Sequence, residues 1–407
     1  MKKAILIIVA VPVVAWVLLW ILAAAMERSV ASRPWPGGLE GLDKVAARYP
    51  ERNAETSAAL ALTRLTVPLG VDIAPRVERQ SKATPPTRKE YDAIKTPLHD
   101  YIDAQLGRPS NAIDEAPPAL AAYLADRRAQ LDGVRAHLLS GAPIAWKTQL
   151  SKGFDAPIPN LLGHMELARL FVADALVKAR GGDAAAWDDL HAIWLLDGGL
   201  RGRPDLISQI ISLAMGRMTN AAAAKMPLPE PAWLGELRAA DYRHSFMASM
   251  QSEAWGWMHL PRYGGHLASP YIRLCGADVA DHVRVAFVKL AKSNACDVGD
   301  TLSQDVNDAL PRWNVLGRIA VPNIAATWQR AARTTPELEL TEKVLQLRRR
   351  ETPSPFSRCS DGRWLVTASS VKFSRTLRGP KTGLNYPLEY AGVLVPSPRD
   401  SGERVAR

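Results

Sequence analysis

The chain has 407 residues, of which 47% are hydrophobic and 23% are charged, and its formal net charge is +10. This composition excludes a chain that is disordered throughout, because disordered chains lack the apolar residues needed to build a core. The 12 tryptophans can contribute to such a core, so we expect a globular protein with disorder confined to its ends.

The first segment is apolar over a length that fits a membrane. Residues 4–25 contain no charged side chain, and at about 1.5 Å per residue they make roughly 33 Å of helix, enough to cross a hydrocarbon core of about 30 Å. Secretory signals have a shorter apolar core of about 7 to 15 residues. We therefore predict an uncleaved signal anchor over residues 1–28, with a cleaved signal ending near Ala23–Ala25 as the alternative.

The charges beside this run predict its orientation. Lys2 and Lys3 precede it, whereas Glu27 and Arg28 follow it and cancel. The positive-inside rule then leaves the N-terminus in the cytoplasm and sends the rest outward. The predicted location is the bacterial inner membrane, single-pass, with a periplasmic body. The bilayer is the first expected partner, and nucleic acid is not expected outside the cytoplasm.

After a Pro- and Gly-rich linker over 29–38, apolar residues recur at helical spacing through a body over 39–350. The prolines between 67 and 87 predict an extended segment there. Helices are predicted over 39–48, 53–65, 88–106, 118–140, 161–179, 184–197, 205–224, 233–258, 271–293, 311–333 and 336–350. The fold class is therefore mainly α: an N-terminal transmembrane helix, then an irregular helical bundle or a short α-hairpin array.

The clearest helical hairpins lie between 161 and 224. The first of these helices is apolar on two sides, which predicts that it packs between neighbours. "RGGD" (residues 180–183) then supplies a Gly stop and Asp183 as the N-cap of the next helix. Helix, "GGD" loop and helix resemble a tetratricopeptide-like hairpin, but the other marker positions of that repeat are not matched, and fewer than three self-similar units are present.

The C-terminal module over 351–396 has strand composition at 363–369, 371–376 and 387–395, which predicts a small β hairpin or sheet; 397–407 is expected to be a tail. Residues 341–407 hold 13 Lys and Arg against 6 Asp and Glu. Such a segment favours anionic lipid, an acidic glycan or an acidic protein partner. A basic surface that only aids solubility is the alternative.

The three cysteines allow one disulfide in an exported chain. Cys275 and Cys296 are close in sequence, but the predicted helix between them would hold them more than about 20 Å apart, whereas bonded Cα atoms lie within about 7 Å. We therefore favour Cys296 with Cys359; three free thiols remain the alternative.

Motifs for chemistry are scarce. In "NLLGHMELARL", His164 and Glu166 are two apart and project about 200° apart on a helix, so they cannot share a metal ion. We expect Glu166 to pair with Arg169 on the surface and His164 to bond loop backbone. No zinc-protease, nucleophile-elbow or nucleotide-binding motif occurs, and no cofactor is predicted.

Two weaker candidates remain. "QSEAWGWMHLP" resembles the segment around the catalytic Glu of lytic transglycosylases, which would make Glu253 a catalytic acid; here, however, Ser252 precedes the Glu, and the spacing is shorter than in that family. An ion pair of Glu253 with Arg243 or another helix is the alternative. His259 and His266 flank a Pro- and Gly-containing loop and are the one His pair worth testing for metal.

Three further segments, "PLGVDIAPR", "PIPNLLGH" and "RPDLISQIISLA", resemble uncharacterised bacterial proteins with one N-terminal anchor and a helical exported body. The resemblance implies location and fold but no activity. We expect an envelope interaction or scaffold protein with an envelope protein as its partner, and whether it is an enzyme stays open. The alternatives are a membrane-tethered periplasmic hydrolase and a module that binds anionic lipid or glycan.

Overall fold

A computed structural model gives the fold of this chain. It describes residues 2–75, 86–259, 269–292, 296, 310–320, 324–359, 362–367, 369–375, 377–378, 385–386 and 389–391. The protein is mainly helical, with one apolar N-terminal helix and a small antiparallel sheet near the C-terminus, as the sequence predicts.

Helix α1 (Lys2–Ala31) contains a segment long and apolar enough to cross a membrane. Its large apolar side chains from Val11 to Leu22 are mostly exposed, whereas Ala23 and Val30 are buried against the rest of the protein. Trp35 follows the helix and packs against Phe287, with ring centroids 6.2 Å apart. The apolar half of α1 thus projects outward, and its C-terminal end is fixed to the body.

The body consists of helices joined by short connections. They are α2 (Val45–Arg48), α3 (Ser57–Thr66), α4 (Pro86–Gly107), α5 (Pro118–Asp126), α6 (Arg128–Leu139), α7 (Leu161–Arg180), α8 (Ala186–Arg201), α9 (Leu206–Ala223), α10 (Leu234–Ala239), α11 (Tyr242–His259), α12 (Ser269–Ala291), α13 (Val315–Ala320) and α14 (Ile324–Arg348). Short 3-10 segments occur at Leu42–Lys44, Val67–Leu69 and Leu150–Asp155. The expected extended segment at 67–87 therefore opens with a 3-10 turn, and part of it lies outside the described residues.

Helices α7, α8 and α9 form the antiparallel centre of the body. Most side chains of α7 are buried, which agrees with its two apolar sides. The start of α8 differs from the prediction. Asp183 accepts the N–H of Ala185 at 2.9 Å and forms a turn ahead of the helix, so it is not the N-cap. Gly182 has φ +74°, the left-handed conformation that glycine adopts without strain.

Three predicted helix boundaries are wrong. The predicted helix 118–140 is two helices that meet at Arg127, and 233–258 is divided by Ala240, whose backbone is extended. Conversely, α14 runs through Pro336, where the sequence predicts a break. Pro336 is buried, and Asn220 of α9 donates to the Glu337 carbonyl at 2.9 Å. Packing against α9 therefore outweighs the cost of a proline in a helix.

The C-terminal strands are β1 (Trp364–Val366), β2 (Ser370–Phe373), β3 (Leu377–Arg378), β4 (Asn385–Tyr386) and β5 (Glu389–Ala391). Strands β1, β2 and β5 form one antiparallel sheet in that order, and β3 pairs with β4. The indole of Trp364 donates to Glu339 of α14 at 2.9 Å. A small core of its own, around Phe373 and Tyr390, attaches this sheet to the helical body.

The structure joins Cys296 to Cys359, the pair favoured by the sequence, with Cα atoms 5.7 Å apart. Cys275 is buried on α12 as a free thiol. The bond links the chain just after α12 to the start of the C-terminal module, two regions far apart in sequence. A disulfide is typical of proteins in oxidising compartments.

Candidate functional site

A cavity of about 570 Å³ lies where α9, α11 and α12 meet the 3-10 segment Leu150–Asp155. Its walls are mostly apolar, and they include Leu206, Ile207, Met250, Ala254, Val279 and Val283. Ile207 is 54% exposed, so the cavity reaches the protein surface beside it. Its volume falls within the range of small-molecule sites, about 300 to 1,000 Å³.

Arg203 fixes one wall of this cavity. Its guanidinium donates to Asp205 at 2.9 Å and to the Ser208 hydroxyl at 3.2 Å, so it is held at the start of α9. It also donates to the carbonyls of Lys147 and Pro157, both at 3.0 Å. Because Arg203 is only 5% exposed and its donors are engaged, we interpret it as a structural tie between α9 and the segment preceding α7.

Glu253 of α11 supplies an acid to the lining. Its Oε1 accepts the N–H of Leu206, the first residue of α9, at 3.1 Å. Among the described residues, the bond from the Leu206 N–H is the hydrogen bond that the Glu253 carboxylate makes. The expected ion pair between Glu253 and Arg243 is therefore not formed. A carboxylate suits this place because the N-terminus of a helix carries partial positive charge.

Burial raises the pKa of the Glu253 carboxyl; the Leu206 hydrogen bond lowers it in part, and the neighbouring Asp205 raises it. The side chain can therefore hold a proton more readily than an exposed Glu. A protonated Glu253 could donate a hydrogen bond to a polar group of a ligand, and an ionised one could accept such a bond.

The other polar side chains of the lining are already engaged. Ser252 donates its hydroxyl to the Ala248 carbonyl at 3.0 Å and is not paired with a base. Asp205 caps α9 by accepting the Ser208 N–H at 2.8 Å and also binds Arg203. Of the two acids in the lining, Asp205 is engaged by Arg203 and by the start of α9, and Glu253 holds one backbone N–H. This arrangement is better suited to holding a ligand than to activating a nucleophile.

His164 bonds backbone, as the sequence predicts, and it is also fully buried. Its Nδ1 lies 2.9 Å from the Asn160 carbonyl, and Trp146 packs edge-on against the ring. Burial lowers the pKa of His164 to about 4, so the ring is neutral at physiological pH. It belongs to the core and does not line the cavity.

Glu166 is not on the surface, and the expected pairing with Arg169 is wrong. The side chain is buried, and Arg88 of α4 donates to both of its oxygens, at 2.9 and 3.2 Å. Lys95 of the same helix adds a third bond at 3.0 Å. Glu166 therefore ties α7 to α4, a role that short-range spacing in the sequence could not reveal.

The proposed histidine pair cannot be assembled from the described residues, because His266 lies outside them. His259 stacks on Trp255 with ring centroids 3.8 Å apart, and its Nδ1 lies 2.7 Å from the Trp255 carbonyl. Across the part of the chain that the structure describes, no group of three or more His, Cys, Asp or Glu side chains is arranged to hold a metal ion.

Much of the basic charge that is described after residue 341 is used within the protein. Lys343 and Arg348 donate to backbone carbonyls at 2.7 and 2.9 Å. Arg349 forms ion pairs with Glu230 and Glu351, each at 2.7 Å. These contacts leave less charge for an anionic lipid or glycan than composition alone indicates.

Glu253 is recognisable in the sequence, but its surroundings are not. "RPD" at 203–205 precedes an apolar helix, and an N-cap Asp after Pro was visible there. What spacing could not show is that α9 begins beside α11 and α12, far away in sequence. The cavity exists only because of that packing.

Comparisons with known proteins found no relative of this chain. No protein-family model, no curated protein and no solved structure matches the chain.

Proposed function

We propose that this protein is a membrane-tethered binding protein of the bacterial cell envelope, and that its cavity beside Glu253 takes an apolar ligand. Helix α1 serves as the anchor, the N-terminus lies in the cytoplasm, and the body lies in the periplasm. An envelope protein can use the outer surface of the same body as a scaffold.

Three features support the tethered location. The segment Val11–Ala31 is long and apolar enough to span a bilayer, and most of its large side chains are exposed where lipid would surround them. Lys2 and Lys3 favour a cytoplasmic N-terminus. The Cys296–Cys359 bond is typical of an oxidising compartment such as the periplasm.

The cavity is the observation that carries the binding function. Ligand sites are generally concave, mostly apolar and furnished with a few polar groups, and this cavity has apolar walls with Glu253 at the start of α9. An apolar ligand would gain about 25 cal/mol for each Å² of surface removed from water. A glycan would find few hydrogen-bonding groups on these walls.

The test uses 13C-methyl-methionine NMR of the full chain in lipid nanodiscs, titrated with 1-decanol. Among the 9 methionines, Met250 lines the cavity, and its signal is assigned with Met250→Leu. We expect its methyl resonance to shift saturably. Ile207→Trp should weaken the affinity at least about ten-fold by filling the entrance, which corresponds to about 1.4 kcal/mol.

The control is Leu162→Trp. Leu162 is the second residue of α7, as Ile207 is of α9, and it is 72% exposed but does not line the cavity. This variant should bind like the unmodified protein. A Met250 signal that does not move, or equal affinities for Ile207→Trp and the unmodified protein, would contradict the proposal.

One observation favours the hydrolase alternative: Glu253 lies in a cavity, and burial raises its pKa, as a catalytic acid requires. The same NMR titration separates the two functions. Glu253→Gln keeps an oxygen for the Leu206 N–H, so the binding protein should still take up decanol. A hydrolase would instead lose cleavage of an envelope substrate in this variant.

A further inference from the structure

The position of α12 relates the cavity to the membrane surface. Glu27 is the first charged residue after the apolar run of α1, and Arg273 near the start of α12 donates to it at 2.8 Å. The same guanidinium lies 4.6 Å from the ring centroid of Trp20, which belongs to the apolar run. The beginning of α12 therefore lies at the level where α1 leaves the bilayer.

The two helices run side by side in the same direction. Farther along both chains, Arg33 pairs with Asp281 at 3.0 Å, and Trp35 packs on Phe287. Moving along α12 from Arg273 thus means moving away from the membrane, by about 1.5 Å per residue. These contacts also fix α1 to the wall of the cavity.

The cavity begins close to that level. Gly276 is about 4.5 Å beyond Arg273 along the helix axis, and a Cβ there would lie 2.4 Å from the carbonyl oxygen of Trp257, so glycine allows the close approach of α11. Trp257 lines the cavity, and Val279 and Val283 on the following turns of α12 line it too. Val279 and Val283 lie about 9 and 15 Å beyond Arg273 along the helix axis, so the cavity extends from the level of Trp257 away from the bilayer.

The residues at this end of the cavity suit an interface with lipid. Trp255 and Trp257 close α11 beside the start of α12, and tryptophan is enriched where membrane meets water. Arg273 can keep its charge at the headgroup level while its stem lies along Trp20. Ile207 at the start of α9 is exposed and lines the cavity, so a hydrocarbon chain held in the cavity would cover part of its apolar surface.

We propose that the cavity is filled from the bilayer and holds one acyl chain of a membrane phospholipid. This inference rests on the proposed function, because it names the ligand of the same site. A chain entering from lipid would leave one apolar phase for another, so it avoids the exposure to water that an aqueous route to the cavity imposes.

The experiment is photo-crosslinking of the full chain in nanodiscs that contain phosphatidylglycerol with a diazirine midway along one acyl chain. Labelled peptides are mapped by mass spectrometry. We expect label on α1, which any surrounding lipid produces, and also on the peptides that contain Ile207 and Met250. Ile207→Trp should lower the label at Met250 about five-fold or more, whereas Leu162→Trp should leave it unchanged.

Label confined to α1 would overturn this inference. If decanol still moved the Met250 resonance in that case, the binding function would stand, and the cavity would take a solute from the periplasm. If neither probe reached Met250, both proposals would be wrong. Equal label at Met250 in the Ile207→Trp and unmodified proteins would show contact outside the cavity and would also overturn the lipid proposal.

Discussion

Replacing Arg203 with Met should lower the free energy of unfolding by about 3 to 5 kcal/mol, the usual cost of removing one partner from a buried, charged hydrogen-bond network. The loss leaves Asp205 without its counter-charge and the carbonyls of Lys147 and Pro157 without their donor. Because Met has a similar length and is apolar, the effect reports these bonds more than lost volume.

Urea unfolding of the full chain in nanodiscs, followed by tryptophan fluorescence, measures this change. The control is Arg358→Met, since Arg358 is 57% exposed and its closest ion pair, to Glu339, is long at 3.8 Å. We expect that control to change stability by less than about 0.5 kcal/mol. A loss below about 1 kcal/mol in Arg203→Met would show that Arg203 is not the tie inferred for the cavity wall.

Asp197→Asn should have the opposite sign and a strong pH dependence. Asp197 on α8 is 1% exposed, and its nearest cation, Arg201 Nη1, is 3.6 Å away. Burial raises the pKa of Asp197 from 3.8 to about 7, an effect that Arg201 and Ser212 only partly offset. Between about pH 4 and pH 7, the folded protein therefore keeps a proton on Asp197 that the unfolded chain has already released.

This difference makes the free energy of unfolding fall as the pH rises through that window. Asparagine has a similar shape and no charge, so the variant should be about 2 to 4 kcal/mol more stable than the unmodified protein at pH 8 and equally stable at pH 4. Urea unfolding at pH 4, 6 and 8 measures the difference. The control is Asp188→Asn, since Asp188 is an exposed residue of the same helix, and its stability should show no such pH dependence. A gain in stability from Asp197→Asn that is the same at every pH would contradict the explanation.

The fold was largely predictable because its local signals agree. The spacing of apolar residues predicted most of the helices, the apolar run at the start of the chain predicted α1, and strand composition predicted the small sheet. In two of the places where prediction failed, a contact distant in sequence decided the outcome. Pro336 stays inside α14 because α9 packs on it, and Glu166 is buried because Arg88 and Lys95 reach it from α4.

The candidate site was predictable only in part. Glu253 was found through its sequence context, but a carboxylate that bonds the first N–H of another helix cannot be recognised by spacing. Asp197 gave no signal either, because it is one of three Asp on α8 and an Asp usually points to solvent. The cavity itself depends on the relative positions of α9, α11 and α12, which no short stretch of sequence encodes.

Both proposals depend on α1 lying in the bilayer with the body outside the cytoplasm. The most direct test is protease added to intact spheroplasts that express the full chain. We expect the body to be digested while a membrane-bound fragment containing α1 remains. A body that is protected until the cells are lysed would place it in the cytoplasm and contradict this account.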